Sequence, residues 1–422
     1  MSDLHLAPLT PEPHPTEVTV TGTAVLLTIS GPDRPGVSRM FFSAMDALPI
    51  LVLDVEQVVT SGQLILASLM VPDPAAHQSG VDVNTTLDAI ENTAATVVAN
   101  LGLSLNHERR PAAEGAVVPA QTHVTVLGSP LRPGALATIA RTVAECDGNI
   151  ENIERLAAYP VTAIELHVSG ADHQVLRRRL AAEAASSSID VAVQPAGLHR
   201  RAKRLVVMDV DSTLIQGEVI EMLAAHAGCE PQVAAITESA MRGEIDFTQS
   251  LRRRVSLLAG LDAGALDLVA STVVLTPGAR TLIRTLRRLG YRCGIVSGGF
   301  DVVTDHLAAE LELDFALANH LEIRDGVLTG EVLDPIVDRA AKAQALRDFA
   351  RLSDVPLAQT VAIGDGANDL DMLQTAGLGI AFNAKPLVQE AADTSINVPY
   401  LDTILFLLGI SRAEVEVADG EV

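Results

Sequence analysis

Residues Leu205 to Leu214, LVVMDVDSTL, constrain this chain more than any other stretch. An apolar run stops abruptly at two carboxylates one residue apart. Leu205, Val206, Val207 and Met208 read as a strand buried on both faces, as in a parallel sheet. Asp209 and Asp211 stand at its carboxyl end, where open α/β sheets bind ligands. In extended backbone, residues i and i+2 point to the same side. Two acids aimed at one spot repel unless a cation or a shared proton holds them. On these ten residues alone, a cation site and an acidic turn closing a core strand both stay open.

A chain of 422 residues has room for about two to four domains. Its formal net charge of −23 argues against nucleic acid or an anionic membrane surface as a partner. Cys146, Cys229 and Cys293 are too few and too far apart for a disulfide framework or a metal cluster, which suits a reducing compartment. The opening residues have no basic and apolar signal pattern, and ILFLLGI (Ile404 to Ile410) is too short to span a bilayer. The expectation is a soluble, cytoplasmic protein. Of thirty Lys plus Arg, only Lys203, Lys342 and Lys385 are lysines, so a lysine here is expected for its compact ammonium.

Taken in order, residues 1–17 are Pro-rich and polar and are expected to be a disordered tail. Residues 18–110 follow the order βαββαβ, beginning with a strand from Val18 and the turn GPDRPGV (Gly31 to Val37). After a Pro, Ala and Gly linker, residues 121–197 repeat that order. Arg34-Pro35-Gly36 and Arg132-Pro133-Gly134 stand alike between first strand and first helix. Repetition of this kind is a fold-level signal, and βαββαβ is a ferredoxin-like unit. The pair resembles tandem ACT domains, modules that often bind amino acids. The resemblance implies an amino-acid effector, L-serine or a relative, near Gly36 or Gly134, and a homodimer formed through these domains. HRRAKR (His199 to Arg204) reads as a basic connector into a domain over 205–410, and 411–422 as an acidic tail.

Past Leu205, four stretches fall in order: DVDSTL, then CGIVSGGF (Cys293 to Phe300), then Lys342 in a helical segment, then TVAIGDGANDLDM (Thr360 to Met372). D-x-D-x-T alone is weak; followed by S-G-G, Lys and G-D-x-x-N-D, it is specific. Together they resemble the haloacid dehalogenase superfamily of phosphohydrolases, over about half the chain. The fold class expected is α/β: a Rossmann-like parallel sheet with a small helical cap, at about 217–276, behind two ferredoxin-like ACT domains. Phosphoryl transfer needs charge neutralisation, donors and an in-line nucleophile. Asp209 and Asp365 offer hard oxygen ligands for Mg²⁺. Asp209 matches the family's nucleophile, which forms an aspartyl-phosphate. Asp211 matches its general acid, whose main-chain carbonyl joins the metal ligands. Ser297, Gly298 and Lys342 match phosphate-binding positions, Asn368 a phosphate-side network, and Asp369 a support for the metal.

The cap resembles that of the phosphoserine phosphatases, in QGEVIEMLAAHAG, in ITESAMRGEIDFTQSLRRRVSLLAGL and in Ser212. On a helix through Leu251 to Leu258, Leu251, Val255 and Leu258 form the inward stripe. Arg254 lies on that face while Arg252 and Arg253 project away. An inward arginine needs an anion, and the family pattern puts a substrate carboxylate there. Glu218 matches the residue that binds the substrate ammonium, and Phe247 and Met241 would wall the pocket. The resemblance implies hydrolysis of O-phosphoserine in the last step of serine synthesis. The alternatives are a phosphatase for another small phosphoester and an amino-acid-sensing regulator. A P-type pump is excluded for want of membrane helices.

Overall fold

The computed structural model describes residues 22–78, 82–112, 122–187, 189–197, 200, 202–242 and 244–420. The expected disordered tail at 1–17 and most of the first linker lie outside the described residues. The chain divides into two compact units, one up to Val118 and one from Pro119.

In the first unit, β1 (Thr23–Pro32), β2 (Ile50–Thr60), β3 (Gln63–Pro72) and β4 (Ser104–Pro111) form a four-stranded antiparallel sheet in the order β2-β3-β1-β4. Val25, Leu27 and Ile29 alternate along β1 onto one face, as the period of two requires. Helix Val37–Met45 meets them with Val37, Phe41 and Met45, spaced four apart on one stripe. Helix Val83–Asn100 adds Leu87, Ile90, Ala94 and Val98. Asp82 starts that helix by accepting a hydrogen bond from the Thr85 N–H at 2.8 Å.

The second unit opens with the same topology. β5 (Thr122–Gly128), β6 (Asn149–Ala157), β7 (Thr162–Ser169) and β8 (Asp190–Pro195) pair in the order β6-β7-β5-β8. The two Arg-Pro-Gly turns nevertheless differ. Gly36 sits before its helix with φ 94°, in the left-handed region that favours glycine. Helix Pro133–Glu145 starts two residues earlier in the motif, with Pro133 at its first position and Gly134 inside the first turn.

Downstream lies a seven-stranded sheet in the order β12-β11-β10-β9-β13-β14-β15. Its strands are β9 (Leu205–Met208), β10 (Arg292–Phe300), β11 (Phe315–Arg324), β12 (Val327–Leu333), β13 (Thr360–Gly364), β14 (Gly379–Phe382) and β15 (Thr394–Ile396). All pairs are parallel except β11 with β12. β9 is central, and all four of its side chains are fully buried. Between β9 and β10 stand helices Val219–Ala227, Glu230–Met241, Phe247–Ser256 and Gly264–Thr272, in the expected cap region.

The second ACT-like sheet packs on this sheet's edge. Leu127, Ala163 and Ala192 from its outer face join the same core as Val206 and Met208. Asp190 accepts hydrogen bonds from the N–H groups of Asn397 and Val398, at 2.7 and 3.1 Å. Gln194 donates to the Leu407 carbonyl at 2.8 Å. The basic, polar connector contributes buried Arg200 and Lys203 to this packing. Ile404–Leu407 is a single helical turn sunk in the core, and residues Arg412–Gly420 form a helix whose Asp419 pairs with Arg284 and Arg288. Among the described residues, no helix is long and apolar enough to cross a membrane.

Candidate active site

Three motifs far apart in sequence meet because β9 lies between β10 and β13. Met208 stands opposite Ile295 on one side and Ile363 on the other. Parallel strands in register end at one level, so Asp209, Ser297 and Asp365 emerge around one spot. The fourth arrives on helix Arg339–Leu352, which Asp338 caps by accepting from the Ala341 N–H at 2.9 Å. This helix sends Lys342 into the interior.

Lys342 Nζ lies 2.7 Å from Asp209 Oδ1 and 2.7 Å from Asp369 Oδ1. Burial works against its ammonium, but the two flanking carboxylates hold its pKa above the ordinary lysine value. The other Asp369 oxygen accepts the Gly366 N–H at 2.9 Å. Asp209, Asp365 and Asp369 offer carboxylate oxygens within 4.8 Å of one another. Burial and then the Asp369 charge push Asp209 well above the usual carboxylate range. The same two causes push Asp365 up to about 6. Crowded, dehydrated hard oxygens of this kind are a donor set that a magnesium ion fits, since its charge removes the repulsion.

Asp211 has a different environment. Its Oδ1 accepts from the Val219 N–H at 2.8 Å and its Oδ2 from the Ser297 hydroxyl at 3.2 Å. Burial and then Glu218 push its pKa up to about 6, closer to neutrality than an ordinary carboxyl, as suits a proton-transferring group. Ser212, directly after Asp211, has φ 57°, left-handed backbone rarely adopted outside glycine and asparagine. That twist turns the Ser212 hydroxyl to donate to Glu218 at 3.0 Å. Gly298 and Gly299 leave room that side chains would fill. A Cβ at Gly298 would stand 2.9 Å from the Phe247 ring, and one at Gly299 2.8 Å from Asp211.

A cavity of about 600 Å³ opens over these groups, lined by Asp209, Asp211, Asp365, Gly298, Asn368, Glu218 and Arg254. Ser297, Lys342 and Asp369 lie buried beneath. Arg254 is directed inward as its helical position predicts. Its Nη1 reaches only the Thr237 hydroxyl at 3.5 Å, and its Nε is buried without a hydrogen-bond partner among the described residues. Arg252 faces elsewhere, to Asp334 at 2.8 Å. Phe247 lines the cavity; the Met241 side chain lies outside what the structure describes. Gly36 and Gly134 do not line this cavity.

A model of the haloacid dehalogenase-like hydrolases matches residues 206–374, and ACT-domain models match 23–98 and 121–194. A phosphoserine phosphatase of Streptomyces coelicolor is 56% identical over 398 residues, covering 94% of each chain. One from Mycobacterium tuberculosis is 52% identical over 404 residues, covering 94% of this chain and 96% of its own. The chain belongs to the phosphoserine phosphatase family. Among solved structures, a HAD family hydrolase of Salmonella enterica superposes with a TM-score of 0.61 at 30% identity, over 68% of this chain and 98% of that one. A probable phosphoserine phosphatase of Vibrio cholerae gives 0.55 at 33% identity, over 71% and 89%.

Two residues of this phosphoserine phosphatase family member receive no role from the sequence motifs, although Thr213 is the threonine of D-x-D-x-T. Thr213 donates to Asp365 Oδ1 at 2.9 Å, fixing that carboxylate from the first motif. Ser250 lines the cavity with a buried hydroxyl that has no hydrogen-bond partner among the described residues. The helical spacing of Phe247, Ser250 and Arg254 was the signal for it, since i, i+3 and i+7 share one face.

Proposed function

We propose that the enzyme hydrolyses O-phospho-L-serine to L-serine and phosphate, closing a route of serine synthesis. The carrying observation is a half-buried arginine, Arg254, which makes no ion pair among the described residues and faces the cavity whose floor holds Asp209, Asp211, Asp365 and Lys342. A free amino acid bearing a phosphate offers an anion at each end and an ammonium for Glu218.

Asp209, Asp365 and the main-chain carbonyl of Asp211 would hold Mg²⁺, which supplies charge neutralisation to the phosphate. An Asp209 oxygen attacks phosphorus; its new bond forms as the bond to the seryl oxygen breaks. Asp211 gives its proton to that departing oxygen. Water then attacks the aspartyl-phosphate and returns a proton to Asp211, and phosphate leaves with Asp209 restored. Lys342 fixes the attacking carboxylate, while Ser297, the Gly298 main chain and Asn368 orient phosphate oxygens.

Arg254→Ala raises KM for phosphoserine far more than for phosphoethanolamine, which lacks the carboxylate. A lost desolvated ion pair costs about 2–5 kcal/mol. Arg252→Ala changes neither by more than about twofold, as an exposed pair contributes little. Steady-state kinetics on both substrates decide; equal effects of the two variants would refute the carboxylate assignment.

The same proposal includes regulation by L-serine or a related amino acid, bound near Gly31–Val37 or Gly128–Gly134, in a cytoplasmic homodimer assembled through the ACT domains. Support comes from the ACT matches and from β2, where Val52, Val55, Val58 and Val59 are 45–50% exposed on an edge strand. The three free cysteines suit a reducing compartment. Gly36→Val forces a β-branched residue to φ 94° and weakens L-serine inhibition by roughly fivefold or more, leaving kcat unchanged. Inhibition that is purely competitive and unaltered by Gly36→Val and Gly134→Val would sink the regulatory role.

A further inference from the structure

The outer face of the second ACT-like sheet carries a polar cluster that the phosphatase chemistry does not use. His123 on β5 stands directly across from His167 on β7, and Glu165 is two residues before His167 on the same face. His123 Nδ1 is 3.0 Å from Glu165 Oε1, and His167 Nε2 is 3.2 Å from the same oxygen. All three donor atoms lie within 4.8 Å of one another. With bonds near 2.0–2.1 Å, tetrahedral zinc places its ligand atoms about 3.3 Å apart. Despite its proximity to Oε1, the buried His123 Nδ1 makes no aligned hydrogen bond.

We propose that His123, Glu165 and His167 form a binding site for a late first-row divalent metal, Zn²⁺ in particular, at the seam between the second ACT-like sheet and the phosphatase domain. Two imidazoles and one carboxylate favour such ions over Mg²⁺, which prefers oxygen. Half-buried histidines leave solvent access for water to complete the coordination. Arg200 grips both carboxylate oxygens, its Nη1 donating to Oε1 at 3.0 Å and its Nη2 to Oε2, while its Nε donates to the Leu407 carbonyl at 3.2 Å. Arg200 thus orients the carboxylate as an outer partner. Burial opposes the Glu165 charge, but the His123 and Arg200 contacts hold its pKa near 2, so the ligand stays anionic at neutral pH. An ion there would fasten β5 to β7 and, through Arg200, to the Phe406–Leu407 carbonyls.

The test separates this site from the active-site acids. Zn²⁺ is equilibrated with the Asp365→Asn protein in millimolar Mg²⁺, and Cu²⁺ is used as a paramagnetic probe of the ligands. The expected result is about one Zn²⁺ retained per chain and a copper spectrum with hyperfine structure from two imidazole nitrogens. His167→Asn and, separately, His123→Gln weaken zinc binding by at least about tenfold, with calorimetry confirming that each variant folds. No zinc held against Mg²⁺, zinc affinity in both histidine variants equal to that of the parent protein, or a copper spectrum with oxygen ligands alone would overturn the site.

Discussion

Asp209→Asn lowers phosphate release from O-phospho-L-serine by at least about four orders of magnitude. An amide oxygen cannot form the acyl phosphate, and no neighbour replaces it. Asp211 is held by Val219 and Ser297, and Asp369 by Lys342 and Gly366. The variant folds, because Lys342 keeps its ion pair with Asp369 at 2.7 Å. Removing one of the crowded buried carboxylates leaves the melting temperature unchanged or raised. Asp211→Asn is also severe, since the departing seryl oxygen then lacks its acid. Substantial turnover by a verified Asp209→Asn protein, or its failure to fold, would contradict this account of the site.

Glu165→Gln destabilises the second unit by about 3–5 kcal/mol. Glu165 and Arg200 are both buried, with side-chain exposures of only 5%. A neutral amide strands the guanidinium in a dry seam, with the Leu407 carbonyl 3.2 Å from its Nε as partial compensation. The corresponding calorimetric transition falls by roughly 10 °C. The paired replacement Glu165→Met with Arg200→Met recovers most of the loss, because a buried ion pair exchanged for apolar residues of similar volume is close to neutral. A single Glu165→Gln variant melting with the parent would mean the seam is open to water.

These two predictions differ in how far the sequence announces them. Asp209 sits at the end of a four-residue apolar run, and its strand, both motif partners and Lys342 follow from local patterns in order. Their convergence needs one further fact, that β9 lies between β10 and β13, and parallel-sheet logic supplies it. The inward face of Arg254 follows from helical periodicity alone. Arg200 is the opposite case. In HRRAKR it looks like a solvated connector, because an arginine is rarely buried without a partner. Its partner, Glu165, lies 35 residues away on β7, and no local period encodes that distance. The two Arg-Pro-Gly turns show a subtler limit. Identical tripeptides begin helices at different points, because the flanking chain decides whether proline opens the helix or precedes it.

The most direct test is phosphate release from O-phospho-L-serine by the whole chain, with Mg²⁺ and after chelation, beside phosphothreonine and a sugar phosphate. The account predicts rapid turnover of phosphoserine that disappears on chelation, returns with Mg²⁺ and exceeds that of the other esters. Turnover indifferent to chelation, or a sugar phosphate hydrolysed faster than phosphoserine, would contradict it.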